Sequence, residues 1–330
     1  MARYAGDMNK VVLRHESGTY ANAHGDGVWA GQVSTNSISD DENYIFDRYM
    51  GTNSRNYSDS NLGPQEVTGT LTYNIQDHRF PFWAIGSVVD TSGATSVHEA
   101  FEIATDVRQS AFTSGTLNPP ISWTLEDSKQ APGVGKNFVR TIQGCVIDEV
   151  RLSSSQGEKV TCEVDYVANK IVPSSGTTTA VTEITTTPYM WSNCSATVSG
   201  VDVLTATEVE LVLNRNATGP HYVDSQREAS VPVQENADYT FNLTIDLDSE
   251  IAMMLYNFKQ NNTAFNSVFD LDADSETGSQ HAIYTMSGCI VAEMDPPSES
   301  EGLSSTTVEI RPQSVTAKSW DTFAAYNPDF

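Results

Sequence analysis

The sequence predicts a mainly β chain, a duplicated β-sandwich with long β-hairpins and short flanking helices. Two observations lead there. TIQGCVIDEV at 141–150 has a near-copy, TMSGCIVAEM, at 285–294, with Thr, Gly, Cys and Glu in register across 144 residues. Around each copy the chain runs through the same order: alternating strand, short apolar helix, polar insert, then strand–turn–strand. Where the copies differ they mostly exchange apolar residues, Ile142 for Met286, Val146 for Ile290, Ile147 for Val291 and Val150 for Met294.

Residues 1–40 are polar, glycine-punctuated and weakly patterned, and predict an assembly arm. In EVTGTLTYNIQ (66–76), Val67, Gly69, Leu71, Tyr73 and Ile75 share one face, as in a half-buried strand. RFPFWAIGSVVD (79–90) is apolar and predicts a short helix after Pro81. FVRTIQGCVIDEVRL (138–152) and EKVTCEVDYVA (158–168) flank SSSQG and read as a hairpin. Both faces of its first strand are substantially apolar, so that strand is expected to be covered on both sides or to meet another subunit. The Thr/Ser-rich stretch within 171–189 reads as a linker or an extended arm.

The second half repeats the order. TEVELVLNRN (207–216) and DYTFNLTIDL (238–247) are strands. SEIAMMLYNFKQNN (249–262) carries Ile251, Met254, Leu255 and Phe258 on one helical stripe, with Ser249 as N-cap. YTMSGCIVAEM (284–294) and SSTTVEIRPQSV (304–315) flank a polar insert. The expected division is an arm at 1–40, a first β-domain at 41–170, a linker at 171–189 and a second β-domain at 190–330. Gly144, Cys145, Gly288 and Cys289 mark the structural repeat.

Composition narrows the function. With 43 acidic against 18 basic residues the net charge is −25, spread along the chain, so the folded surface repels nucleic acid. Such a surface suits simple solubility, a very salty environment that screens it, or the wall of a duct through which DNA slides without sticking. No stretch approaches the length of apolar sequence needed to span a membrane as a helix. MARYAGDMNKVVLRHE has charges where a signal peptide needs its apolar run, so export by one is not expected. Cys145, Cys162, Cys194 and Cys289 form no CxxC pair, and buried free thiols are the simplest reading.

No catalytic constellation stands out, and neither an enzyme nor a cofactor is expected. FDLDADSETGS (269–279) puts Asp270, Asp272, Asp274 and Glu276 at alternate positions, like the first half of an EF-hand loop. Ser275 stands where Gly is needed and His281 where Glu is needed, so these four are weak metal candidates beside the reading of a solvated acidic loop. His15–Glu16 with His24 and Asp26 is a weak metal or acid–base suggestion. The informative features are the repeat, the hairpins and the acidic surface, and these suit a structural protein that assembles.

VVLRHESGTY, FDRYMGTNSRNYSD, EVTGTLTYNIQDHRFPFWAIGSVVD and RTIQGCVIDEVRLSSSQGEKVTCEVDYVANKI together resemble the major tail tube proteins of long-tailed bacterial and archaeal viruses. The resemblance is stronger over 10–170, and over 190–320 it rests mainly on the internal copy. It implies a β-sandwich whose hairpins close with those of neighbouring subunits into a barrel around a lumen. Rings stack, and viral DNA passes through without tight binding. A chain with two such domains would make the wall from three copies with pseudo-six-fold symmetry. The implied partners are the chain itself and the tape-measure, tail-terminator and baseplate proteins, in a virion tail assembled in the host cytoplasm; the acidity suggests a halophilic archaeal virus. Candidate lumen or hairpin acids are Asp148, Glu149, Glu158, Glu163, Asp165 and Glu293. The alternatives are a baseplate or fibre component, or a secreted carbohydrate-active β-sandwich enzyme.

Overall fold

A computed structural model describes residues 9–16, 20–21, 27–47, 59–91, 96–102, 121–130, 137–174, 179, 181–221, 227–247, 250–273, 280–296, 305–322 and 326. The first half contains β1 (Lys10–His15), β2 (Val28–Trp29), β3 (Gln32–Asp41), β4 (Ile45–Asp47), β5 (Asp59–Asn61) and β6 (Glu66–Asn74). Helix α1 (Arg79–Ile85) follows, then β7 (Gly86–Thr91), β8 (Ser96–Glu102), β9 (Ser122–Gln130), β10 (Asn137–Ser155), β11 (Thr161–Ala168) and β12 (Lys170–Ser174). The second half contains β13 (Cys194–Val198), β14 (Val201–Asp202), β15 (Ala206–Asn214), β16 (Ala217–Thr218), β17 (Val233–Gln234) and β18 (Asp238–Asp246). Helix α2 (Glu250–Asn261) leads to β19 (Phe265–Asp272), β20 (His281–Met294), β21 (Ser305–Arg311) and β22 (Ser314–Asp321). The chain is mainly β.

The two halves pair their strands alike, antiparallel throughout. β9 lies between β1 and the N-terminal part of β10, whose other edge takes β12. β11 lies between β6 and the C-terminal part of β10, and β6 also takes β3. Correspondingly, β19 lies between β13 and the N-terminal part of β20, whose other edge takes β22. β21 lies between β18 and the C-terminal part of β20, and β18 takes β15. Even the irregularities correspond. β10 bulges between Ile142 and Cys145 and again between Ile147 and Glu149; β20 does so between Met286 and Cys289 and between Val291 and Glu293.

These bulges explain the two-faced apolar pattern of 138–152. A bulge reverses the phase of a strand, so one chain segment can serve two sheets. Cys145, Val146 and Ile147 are consecutive and all buried, with α1 packed against β10. α1 starts at Arg79, two residues before Pro81, and is buried along its whole length. α2 buries Ile251, Ala252 and Leu255 and rests Met254 and Phe258 at the core's rim. Ser249 lies outside the described residues.

The halves join where β10 pairs with β15 and where β8 of the first half pairs with β22 of the second. All the long strands belong to one linked, barrel-type system. Its principal ladder runs β3–β6–β11–β10–β15–β18–β21–β20. Among the described residues, β3 at one end and the C-terminal part of β20 at the other each have a strand on one edge only, so the ladder stays open within one chain.

Part of the expected N-terminal arm is built into this sheet: β1 pairs with β9, burying Val12 and Leu13. The Thr/Ser-rich stretch is tied down too. β12 joins β10, and Gln76 Nε2 donates to the Thr186 carbonyl at 2.5 Å.

Candidate assembly surfaces

One face of the eight-strand ladder is core, with Leu71, Val164, Val150, Leu213 and Phe241 buried. The other is polar. Strand register aligns Ser37, Thr70, Asp165, Glu149, Asn214 and Asp238 in one row across it. A second row aligns Thr72, Glu163, Arg151, Val212 and Thr240, and a third aligns Ser153, Glu210, Asn242, Glu309 and Glu293.

Glu149, Glu163, Asp165 and Glu293, four of the six hairpin acids, therefore share this face. Arg151 sits among them, reaching Glu149 at 2.7 Å, Glu210 at 3.3 Å and Glu163 at 3.4 Å. Asp165 accepts from Thr70 Oγ1 at 2.5 Å. Asp148 is the exception on the strand. Adjacent residues of a regular strand must face opposite ways, but the bulge between Ile147 and Glu149 turns Asp148 sideways. There it accepts the Ala217 N–H at 2.7 Å, and burial pushes its carboxyl above the ordinary range. Glu158 lies exposed in the turn between β10 and β11.

The Gly–Cys repeat forms the hinge of each bulged strand. Gly144 has φ 68° and Gly288 φ 63°, the left-handed region where a side chain is strained. The same backbone bond braces both: Asn169 N–H to the Gln143 carbonyl and Gln313 N–H to the Ser287 carbonyl, each 3.0 Å. Cys145 and Cys289 beside them are free and buried, and burial raises both thiols' pKa. Glu16 is also fully buried, and its carboxylate accepts from Ser122 and Thr124 hydroxyls and the Gly144 N–H, each at 2.7 Å, and from Ala21 N–H at 2.9 Å. Four donors satisfy a carboxylate without a counter-cation, which accounts for Glu16 structurally. His24 and Asp26 lie outside the described residues.

Asp270 and Asp272 lie on β19, and His281 Nε2 contacts Asp270 Oδ1 at 2.8 Å. Asp274 and Glu276 lie outside the described residues. Among the described residues no group of three or more His, Cys, Asp or Glu could hold a metal ion.

Sequence spacing missed a buried hub between the halves. His98 lies between Asp90 at 2.5 Å and Asp321 at 2.9 Å and stacks on Tyr326 with ring centres 3.9 Å apart. The Tyr326 hydroxyl accepts the His78 N–H and donates to Asp321, while His78 Nδ1 meets the Tyr284 hydroxyl at 2.6 Å. Partners as far apart as His78 and Tyr326 leave no local signal.

The geometry is therefore that of a ladder with a polar, acid-rich face and, among the described residues, two unfilled edges. No individually curated protein matches the chain. A family profile described as phage tail tube protein matches residues 17–316, nearly the whole length. The chain belongs to the phage tail tube protein family, as a structural component of the virion tail.

Proposed function

We propose that the chain is an internal duplication of a tube domain and that three copies close into a pseudo-six-fold ring. Rings stack into the tube that carries viral DNA into the host. The two domains are 41–170 and 190–330 in outline, the first also taking in β1–β3. What supports this reading is the common pairing order of the halves together with the two open ladder ends.

The internal β10–β15 junction supplies the pattern for closure. Asp41 at the end of β3 corresponds to Asn214 at the end of β15, an offset of 173, and Glu293 corresponds to Glu149, an offset of 144. Glu149 is opposite Asn214 within the chain. Glu293 of one copy thus stands opposite Asp41 of the next, and β20 fills the open edge of β3. A closed ring removes both edges, which would otherwise be free to pair indiscriminately.

The polar ladder face then lines the lumen. Its acids repel DNA phosphates, and the tube acts as a passive conduit because counterion-releasing basic contacts are scarce there. The same reading gives a tail tube assembled in the host cytoplasm and capped by tape-measure, terminator and baseplate partners. A halophilic archaeal host suits the acidity.

Electron microscopy of the assembled protein tests this. Three copies per ring with six-fold modulation are expected. Six copies per ring would refute the trimer, and a continuous basic lining or salt-sensitive DNA retention by tubes would refute the conduit.

A further inference from the structure

The connection between β15 and β18 is built like the connection between β3 and β6. Asn216 and Asn43 both have positive φ, 47° and 42°. Asn216 N–H donates to Asn214 Oδ1 at 2.8 Å, and Asn43 N–H to Asp41 Oδ1 at 2.9 Å. Asn216 Nδ2 donates to the Asn236 carbonyl at 2.9 Å, and Asn43 Nδ2 to the Pro64 carbonyl at 3.0 Å. The Glu235 and Gly63 N–H groups donate to the Asn216 and Asn43 carbonyls at 3.3 and 3.1 Å. The ribbons share a register as well: Thr218 opposes Val233 as Ile45 opposes Asn61.

Their surroundings differ. The β16–β17 ribbon sits on the β10–β11 hairpin of the first half. Arg215 N–H donates to the Asp148 carbonyl at 2.7 Å, Ala217 N–H to the Asp148 carboxylate, and Gln234 Nε2 to the Ile147 carbonyl at 3.1 Å. Ala217 is only 7% exposed, and a Cβ on Gly219 would lie 3.3 Å from the Val167 side chain. The β4–β5 ribbon exposes its matching positions: Tyr44, in place of Ala217, is 58% exposed and Leu62, in place of Gln234, is 47% exposed. On the second half's hairpin, Ala292 and Arg311, in place of Asp148 and Val167, are exposed too.

We propose that the β4–β5 ribbon of one copy clasps the β20–β21 hairpin of the next copy in the ring, as β16–β17 clasps β10–β11 within the chain. The inference rests on the ring reading and names the residues that hold it. Side-chain sizes compensate across the two junctions. Where Asp148 fills space beside small Ala217, Ala292 leaves room for Tyr44. Where Gly219 lies against Val167, Phe46 lies over the Arg311 guanidinium, a cation–π arrangement. Such a contact is heterologous, one patch to a different patch, which is the kind a closed ring requires and a two-fold dimer does not use.

Cysteine pairing of the full chain tests it. Phe46→Cys and Arg311→Cys occupy positions whose internal counterparts touch, within reach of a disulfide. Under conditions where the native protein forms rings, a mixture of the two single variants should give covalent dimers. The double variant should give dimers and closed trimers, and neither single variant alone should dimerise through these positions. In parallel, Tyr44→Ser with Leu62→Ser should raise the protein concentration needed for rings by about ten-fold or more, with an unchanged melting temperature. Native rings that show no such cross-link, and that tolerate the Ser variant unchanged, overturn the clasp and leave the ring standing. Dimers from one single variant alone also overturn it. Failure of the native chain to form rings at any salt concentration overturns both.

Discussion

Tyr166 on β11 stands directly opposite Gly69 on β6, and a Cβ on Gly69 would lie 2.3 Å from its hydroxyl. The matching pair in the second half is Ile310 opposite Phe241. The aromatic ring fills equivalent space in both halves but is supplied by opposite strands. Gly69→Ala should therefore destabilise by about 1–3 kcal/mol through overpacking. Combining Gly69→Phe with Tyr166→Ile, which copies the second half, should recover most of the loss. Thermal melting of the single and double variants checks this, and a double variant worse than either single would reject the equivalence of the two sites.

Gly144→Ala and Gly288→Ala should both lower stability, because each position has a left-handed backbone, worth about 1–2 kcal/mol to a residue with a side chain. Gly144→Ala should cost more. The Cβ atoms of Asn169 and Gln313 would crowd the two sites alike, at 2.9 and 3.0 Å, but at Gly144 the Tyr20 ring also lies at 2.6 Å, whereas at Gly288 the closest atom is the amide end of Gln313, which can swing away. Denaturant unfolding of the two variants orders them; equal losses would mean that the backbone conformation alone decides.

How much of this was readable beforehand follows from where the information lay. Alternation in 66–76 and 238–247 gave β6 and β18, because side chains on alternate faces meet core and solvent in turn. The Gly–Cys repeat marked the bulges without revealing them, since a left-handed glycine within a strand looks like any other glycine. That hid why Asp148 and Glu149 need not face opposite ways. β1 was obscured by its polar surroundings: among its described side chains only Val12 and Leu13 are deeply buried, too short a pattern to register. The His98 hub was invisible, because Asp90 reaches His98 within the β7–β8 hairpin but Asp321 and Tyr326 reach it only after both halves have folded together.

That hub should make stability depend on pH in two directions. Burial opposes charge on His98, yet the hydrogen bonds its ring donates to Asp321 and Asp90 outweigh it and raise its pKa from 6.5 to about 9. A raised folded pKa stabilises fully below 6.5, and the contribution fades as pH rises to about 9. Burial lowers the pKa of His78 from 6.5 to about 3, so its share is present above 6.5 and fades as pH falls toward 3. Melting temperature should thus decline on both sides of a maximum near 6.5. His98→Gln should lose about 3 kcal/mol at pH 6, as expected for breaking a buried ion pair, and should flatten the alkaline limb. An unchanged alkaline limb in this variant would remove His98 as its cause.

Ring closure should need salt. Inside the chain the β10–β15 junction sets Glu149 against neutral Asn214 and brings Arg151 to three carboxylates. At the proposed junction between copies, Glu293 meets Asp41, and Asp295, the counterpart of Arg151, puts an acid opposite Ser39 where the junction within the chain has a cation opposite Val212. Two like charges about 5 Å apart repel by roughly 1–3 kcal/mol between the limits of water and a protein surface. Screening shortens the range from about 10 Å at 0.1 M salt to about 3 Å at 1 M. The protein concentration needed for rings, followed by sedimentation or light scattering, should therefore fall as sodium chloride rises toward molar. Asp41→Asn with Glu293→Gln should form rings in 0.1 M salt at about ten-fold lower protein concentration than the native chain, the equivalent of about 1.4 kcal/mol. Its response to added salt should be shallower. Rings that dissolve in salt, or a variant that needs as much salt as the native chain, would separate Asp41 from Glu293 and rule out the register that sets them opposite each other.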